Sequence, residues 1–292
     1  MMTFFQLIGD PHYKHKFVLQ KIIGHLTGWE REELIVHYDD EIDTELLADI
    51  QEKYKLYTDN NEPLEYILWY VEYGGLRFSV NKNTIIPRPE TEYMVEAVRE
   101  YMTDTKESSV VLVDVGTGSG VLWLSLLHSH AQHLQQAFLI DISEDALQVT
   151  QSNYKNFVDK GDIDKNIRVK IGKGNLFDVD IIQEDWLLEL DPWQEIVVLA
   201  NLPYIPDETF DTNPDLSIKH EPRVAFVGGY DGLDLYRIMF TQIRESWYST
   251  TMFLEMMTWQ VDILRQEFDW LEFEEIKTFH FQIKIVKVMF VR

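Results

Sequence analysis

Between Lys14 and Tyr57 the apolar residues recur at three- and four-residue steps: Phe17, Val18, Ile22 and Leu26, then Leu34 and Ile35, then Leu46, Leu47, Ile50 and Tyr54. This spacing lines one side of a helix, and Thr27-Gly28 and the polar run from Asp39 to Asp43 interrupt it, so a bundle of short helices is predicted. After Asn60-Asn61-Glu62-Pro63 the period changes. Tyr70 to Val80 holds two short β-rich runs around Gly74-Gly75, the pattern of a hairpin, and a Pro87-Arg88-Pro89 turn follows. Strand-like runs then lie at residues 110–115, 137–141, 167–171, 195–200 and 251–255, with 272–279 and 281–291 as a closing pair. Helical patterns occupy residues 90–102, 121–128, 143–157, 233–246 and 260–268. The alternation predicts an α/β fold with an open, mostly parallel seven-stranded sheet and helices on both faces. Ligands of such sheets sit outside the carboxyl ends of the strands, which directs attention to the loops after Val115, Ile140, Ile171 and Ala200.

Composition narrows the class. The 292 residues are 45% apolar and 26% charged, the balance of a soluble globular protein with room for two cores. No stretch approaches the ~18 uninterrupted apolar residues of a membrane span, and the first ten residues lack a basic region ahead of an apolar core; a cytoplasmic location is expected. The absence of cysteine excludes disulfides, thiolate metal sites and cysteine nucleophiles. With 26 Lys and Arg against 50 Asp and Glu, the formal charge is −24. A phosphate backbone would be repelled on average, so direct nucleic-acid binding is not expected.

The candidate chemistry begins after the first long strand, where Gly116-Thr117-Gly118-Ser119-Gly120 leads into a helix at Val121. Glycines here allow a tight turn and close approach of a ligand to the backbone. The spacing is G-x-G-x-G, unlike the dinucleotide fingerprint, and no P-loop lysine follows, which disfavours a nucleoside triphosphate. A plain strand-to-helix turn is the other explanation of the loop. Asp141 ends the second strand, placed either to bind both ribose hydroxyls of a nucleoside or to cap the helix beside Ser143. Loop and carboxylate together resemble the class I S-adenosylmethionine methyltransferases, whose ligand carries adenosine and a zwitterionic tail but no phosphate.

The fourth strand runs into Asn201-Leu202-Pro203-Tyr204. An NH2 group conjugated to a carbonyl or an aromatic ring is a poor nucleophile because its lone pair is delocalised. The Asn201 side-chain oxygen and the Leu202 carbonyl can each accept one N–H and so aim that nitrogen, while Tyr204 stacks on the planar group. An ordinary Asn-Pro turn would use the same residues without any chemistry.

Amides and adenine both present such an NH2, and the wider sequence bears on the choice. Glu62 to Leu68, Ile86-Pro87-Arg88-Pro89-Glu90-Thr91-Glu92, Asn201 to Ile205, and Glu221 to Phe226 continuing through Gly228 to Arg237 resemble the release factor glutamine methyltransferases of the HemK/PrmC type over nearly the whole chain. The resemblance implies a helical substrate-docking domain at residues 1–70, a hairpin connector at 71–86 and a class I methyltransferase domain at 87–292. It implies methyl transfer from S-adenosylmethionine to the Gly-Gly-Gln glutamine of a class 1 peptide chain release factor. Gly116, Thr117, Gly118, Ser119, Gly120 and Asp141 would hold the cofactor, with Asn175 and Leu176 beside the adenine and Asn201 at the boundary. Asn201, Leu202, Pro203 and Tyr204 would hold the glutamine, and Arg88 and Glu90 would shape the pocket wall, although a proline-ordered helix start explains those two as well.

The chain departs from the family in places. Leu202 stands where proline is usual, giving the Asn-Leu-Pro-Tyr form of ribosomal RNA adenine dimethyltransferases; Trp69 replaces a usual glycine, and Asn175 a common acidic residue. An adenine-N6 methyltransferase acting on rRNA or DNA is therefore the alternative. A catalytically silent binding protein with an acidic platform is a third, opposed by the intact loop, Asp141 and tetrapeptide. No metal site is expected: His128 and His130 do not share a helical face, and with His133 they are assigned to solvent.

Overall fold

A run such as Val-Val-Leu-Val-Asp-Val offers almost no polar face to water, and in the computed structural model it is a central strand buried at all six positions. The structure describes residues 2–104, 110–130, 134–163, 167–177, 196–246, 248–278 and 282–291. The hairpin strands are Tyr70–Tyr73 (β1) and Leu76–Ser79 (β2). The large sheet comprises Val110–Val115 (β3), Leu134–Asp141 (β4), Arg168–Lys173 (β5), Ile196–Ala200 (β6), Thr250–Met257 (β7), Glu272–Ile276 (β8) and Ile283–Phe290 (β9). Its order is β5-β4-β3-β6-β7-β9-β8, parallel apart from β9, which runs against both its neighbours.

Because side chains alternate along a strand, each face has its own core. Val111, Val113 and Val115 pack with Val198, Ala200 and Met239, Phe240 and Ile243 of helix Asp234–Ser246. Val110 and Leu112 pack on the other face with Met94, Val98 and Met102 of helix Glu92–Asp104 and with Trp123, Leu124 and Phe157. The expected sheet with helices on both faces is thus present. Strand order reverses at β3, whose two neighbours β4 and β6 lead to opposite edges, and a crevice opens there beyond the carboxyl ends.

The chain divides into two units, Met1–Tyr70 with Asp215–His220, and Val71–Pro214 with Glu221–Arg292. The first contains helices Phe4–Gly9, Lys16–Thr27, Arg31–Val36, Thr44–Asn60 and Leu64–Leu68 around Leu7, Leu19, Ile22, Ile23, Ile50 and Tyr54. Two residues assigned to the apolar face lie outside it: Phe17 is 63% exposed and Ile35 56%. With ~100° between successive helical residues, Val18, Leu19, Ile22 and Ile23 centre the buried stripe and Phe17 falls opposite to it. Trp69 ends the last of these helices in the left-handed region, at φ 64°. That conformation accounts for the glycine usual there.

Other differences concern boundaries. β4 begins at Leu134 because Leu134 and Gln136 already pair with Val110 and Val111 across a register irregularity. Helix Glu92–Asp104 is preceded by a 3₁₀ turn at Pro89–Thr91. His133, Glu195, Phe279 and Phe281 lie outside the described residues. His128 is exposed, as expected. Among the described residues no group of three or more His, Cys, Asp or Glu could hold a metal ion, and no helix is long and apolar enough to cross a membrane.

Candidate functional site

The loop after β3 is built on positive φ angles at Gly116 (72°), Gly118 (56°) and Gly120 (79°). Its amides are used inside the protein. Gly116 and Thr117 N–H donate to the Ile140 carbonyl (2.8 and 3.1 Å), Gly120 N–H to the Thr117 carbonyl (2.8 Å), and Gly118 N–H to Asp141 Oδ2 (2.9 Å). A phosphate would need those hydrogens, so the loop suits a ligand without one. Thr150 Oγ1 donates to the Gly118 carbonyl (2.7 Å), and Asn153 Nδ2 to those of Ser119 and Ser79 (2.9 Å each). A Cβ on Gly120 would stand 2.8 Å from Trp123 Nε1, whereas one on Gly118 would meet nothing nearer than 3.9 Å. Gly118 therefore faces open space, the room a bound ligand requires.

That space is a pocket bordered by Gly116, Gly118, Asp141, Asn175, Leu176, Asn201, Leu202 and Pro203. The Asp141 carboxylate lies above its ordinary range because burial disfavours its charge; N–H donation from Ser143, Gly118 and Ile142 opposes this. Ser143, not Asp141, caps the following helix, accepting from Ala146 N–H. Gly118 N–H donates to Asp141 Oδ2 and Ser143 N–H to Oδ1; with the Ile142 N–H, three of the carboxylate's about four acceptor sites are used, which leaves one for a ligand hydroxyl. Leu176 adopts φ 61°, in a turn that Gln242 clamps from both ends: Phe177 N–H donates to its Oε1, and its Nε2 donates to the Asn175 carbonyl, each at 3.0 Å.

Other expected residues support the pocket without bordering it. Thr117 Oγ1 donates to Asp114 Oδ2 (2.7 Å), whose carboxyl burial pushes up to about 7. Arg88 Nη2 donates to Glu221 Oε1 (2.5 Å), and Glu221 Oε2 accepts the Ile86 N–H (2.8 Å). This buried strut joins the stretches that carry Thr84 and Ile85 on one wall and Pro222 and Val224 on another. Glu90 is half-buried and adds negative charge near Tyr204.

Tyr204, expected to stack on the planar group, is not among the residues bordering the pocket; its OH donates to Glu255 Oε1 (3.0 Å), while Thr91 Oγ1 donates to Glu255 Oε2 (2.7 Å) and Asn201 Nδ2 to Thr91 Oγ1 (3.1 Å). Burial pushes the Glu255 carboxyl up to about 7. The Leu202 N–H donates to Tyr236 OH, which donates in turn to the Glu255 carbonyl (2.5 Å). The glycines of the 221–237 motif have a steric reason. A Cβ on Gly228 would stand 2.3 Å from the Pro203 carbonyl oxygen, and one on Gly232 2.0 Å from that of Tyr204. Sequence reasoning overlooked Glu255, although a charged residue inside the otherwise apolar run of β7 is a signal in itself. It also missed Asn83 to Ile85, which carry no such signal.

A family model described as ribosomal protein L11 methyltransferase (PrmA) matches residues 88–185. The release factor glutamine methyltransferase of Caulobacter vibrioides is 32% identical over 217 residues, 74% of this chain and 68% of that protein. That of Francisella tularensis is 29% identical over 270 residues, covering 92% and 86%. That of Clostridium acetobutylicum is 37% identical over 175 residues, 60% of this chain. There the match spans only 55% of the relative's length. Among solved structures, the hMettl16 catalytic domain in complex with MAT2A 3'UTR hairpin 6 is similar with a TM-score of 0.51, at 10% identity over 85% of this chain and 82% of that one. That likeness is one of fold.

Proposed function

The chain belongs to the release factor glutamine methyltransferase family, and from that membership we propose that it methylates the side-chain amide of the Gly-Gly-Gln glutamine of a class 1 peptide chain release factor, in the cytoplasm. One observation carries the proposal: Gly116, Gly118 and Asp141 share a single pocket with Asn201, Leu202 and Pro203. A cofactor half and an NH2-recognising half therefore face one another. S-Adenosylmethionine, when bound, supplies an electrophilic methyl group on a sulfonium.

Asp141 holds the ribose hydroxyls, Gly116 and Gly118 leave room for close approach of the backbone, and Asn175 and Leu176 flank the adenine. Asn201 Oδ1 and the Leu202 carbonyl each accept one N–H of the glutamine amide, turning its lone pair out of conjugation and toward the methyl group. Once methylated, the nitrogen is strongly acidic and gives up a proton to water, so no side chain is required as a base. Tyr204, anchored on Glu255, braces the tetrapeptide from behind. Arg88 maintains the wall through Glu221. The helical unit serves in docking the release factor, and it exposes Phe5, Phe17 and Val36.

Leu202 is the one feature favouring adenine, and a competition assay separates the two readings. With labelled S-adenosylmethionine, release factor and deproteinised rRNA in one mixture, label is expected in the protein alone. Asn201→Ala should lower turnover by about 100-fold, the scale for loss of a preorganised polar contact. Label in rRNA adenine would overturn the substrate assignment, and near-normal turnover of a folded Asn201→Ala variant would remove Asn201 from the chemistry.

A further inference from the structure

The two ends of the Asn201 side chain are alike in size and opposite in hydrogen bonding, and amide recognition works only if the oxygen, not the NH2, faces the substrate. Nothing within residues 201–204 fixes that choice. Two buried groups outside the tetrapeptide do: Thr91, 2% exposed at the end of the Pro89–Thr91 turn, and Glu255, 1% exposed on β7.

An ionised carboxylate carries no hydrogen and can only accept. Glu255 Oε1 and Oε2 therefore take the hydroxyl hydrogens of Tyr204 (3.0 Å) and Thr91 (2.7 Å). The Thr91 hydroxyl has one hydrogen, and it is committed to Glu255. Toward Asn201, 3.1 Å away, Thr91 thus presents only lone pairs, which the asparagine NH2 can meet and its oxygen cannot. The direction of the chain is set at its buried end and read out at the pocket.

Resting on the methyltransferase reading of this site, we propose that Glu255 is a positioning residue which, through Thr91 and by its own contact with the Asn201 NH2, fixes the Asn201 amide with its oxygen toward the substrate. Neither residue touches the reacting groups. Their contribution is the orientation of an acceptor.

The arrangement is reversible. A protonated Glu255 can donate to Thr91, which can then donate to Asn201 Oδ1, turning the NH2 end toward the pocket. Burial and the neighbouring negative charge of Glu90 favour the protonated form; the hydrogen bonds from Thr91, Tyr204 and Asn201 favour the ionised one. The other titratable groups around it are the phenols of Tyr204, Tyr236 and Tyr73, all held above their ordinary range by burial and by Glu255 itself. Within this cluster the group that changes charge near neutrality is Glu255.

The test uses the full chain labelled with ¹⁵N in its asparagine side chains. The Asn201 NH2 resonance, identified by its disappearance in Asn201→Asp, should move with pH around neutrality. That movement should be reduced in Thr91→Val and absent in Glu255→Gln, two near-isosteric changes, and restored in Thr91→Ser. In parallel, kcat for methyl transfer should fall by about tenfold or more in Thr91→Val, the scale of a misplaced positioning contact, with KM for S-adenosylmethionine little changed and Thr91→Ser recovering most of the loss. The acid limb of the kcat–pH profile should disappear in Glu255→Gln.

An Asn201 resonance indifferent to pH and to Thr91→Val, or an unaltered kcat in that variant, would overturn the proposal. The resonance does not depend on which molecule accepts the methyl group. A chain that leaves release factor unmethylated yet has the expected NH2 response would refute the substrate reading and uphold the orientation mechanism.

Discussion

Asp141 accepts from the glycine loop, and on the proposed reading the same carboxylate holds the ligand's ribose hydroxyls. Asp141→Ala should weaken S-adenosylmethionine binding by about 1.5–3 kcal/mol, the worth of charge-assisted hydrogen bonds to the ribose. Calorimetry giving unchanged affinity in a folded variant would contradict this role. Gly232 and Gly118 make a sharper pair. An alanine methyl at 232 would collide with the Tyr204 carbonyl, 2.0 Å away, whereas one at 118 would enter open pocket space. Gly232→Ala should therefore lower turnover and stability together, and Gly118→Ala chiefly cofactor affinity, as thermal melts and titrations on both variants would reveal. Equal stability loss in the two would defeat the distinction. The loop, Asp141 and the tetrapeptide are legible in the sequence because each is a local pattern at a strand end. The Thr91–Glu255 relay is not, since it joins residues 164 positions apart through tertiary packing.

At the scale of elements, β3 and β6 are legible as continuous apolar runs because each is buried at every position, but polar Gln136 concealed the start of β4. Exposed Phe17 and left-handed Trp69 escaped for another reason: hydrophobicity indicates which residues are apolar, not where a stripe is centred or which φ a helix end adopts. Leu202 illustrates the cost of a departure within an element. Its carbonyl is the group assigned to substrate, but its N–H serves Tyr236 and its side chain is 2% exposed in the core. Leu202→Pro should keep turnover on release factor while lowering stability by about 1–3 kcal/mol, through one lost hydrogen bond and some core contact. Chemical denaturation and saturating-cofactor kinetics check the two halves separately. A folded but inactive variant would mean that the carbonyl alone does not explain position 202.

Over the whole molecule, Asp and Glu number 50 against 26 Lys and Arg, and among the described residues three carboxylates, Asp114, Glu221 and Glu255, are buried. Asp114 and Glu255 ordinarily titrate at 3.8 and 4.5 and are pushed up to about 7 by burial. Between those limits the folded chain holds protons that the unfolded chain has released, so stability declines as pH rises from about 4 to about 7. Asp231, held below its ordinary range by Arg237, acts in the opposite sense and only in stronger acid. The melting temperature should therefore be higher at pH 5.5 than at pH 8, and Asp114→Asn should flatten the slope; a rise toward alkaline pH would contradict both burial effects. With a net charge of −24, the chain repels a polyanion on average, whereas the proposed substrate is a protein. The most direct test of that assignment is mass spectrometry of a class 1 release factor after incubation with the natural chain and S-adenosylmethionine. One methyl group on the glutamine of the Gly-Gly-Gln peptide is the expected result; an unmodified peptide beside methylated adenine in rRNA would contradict it.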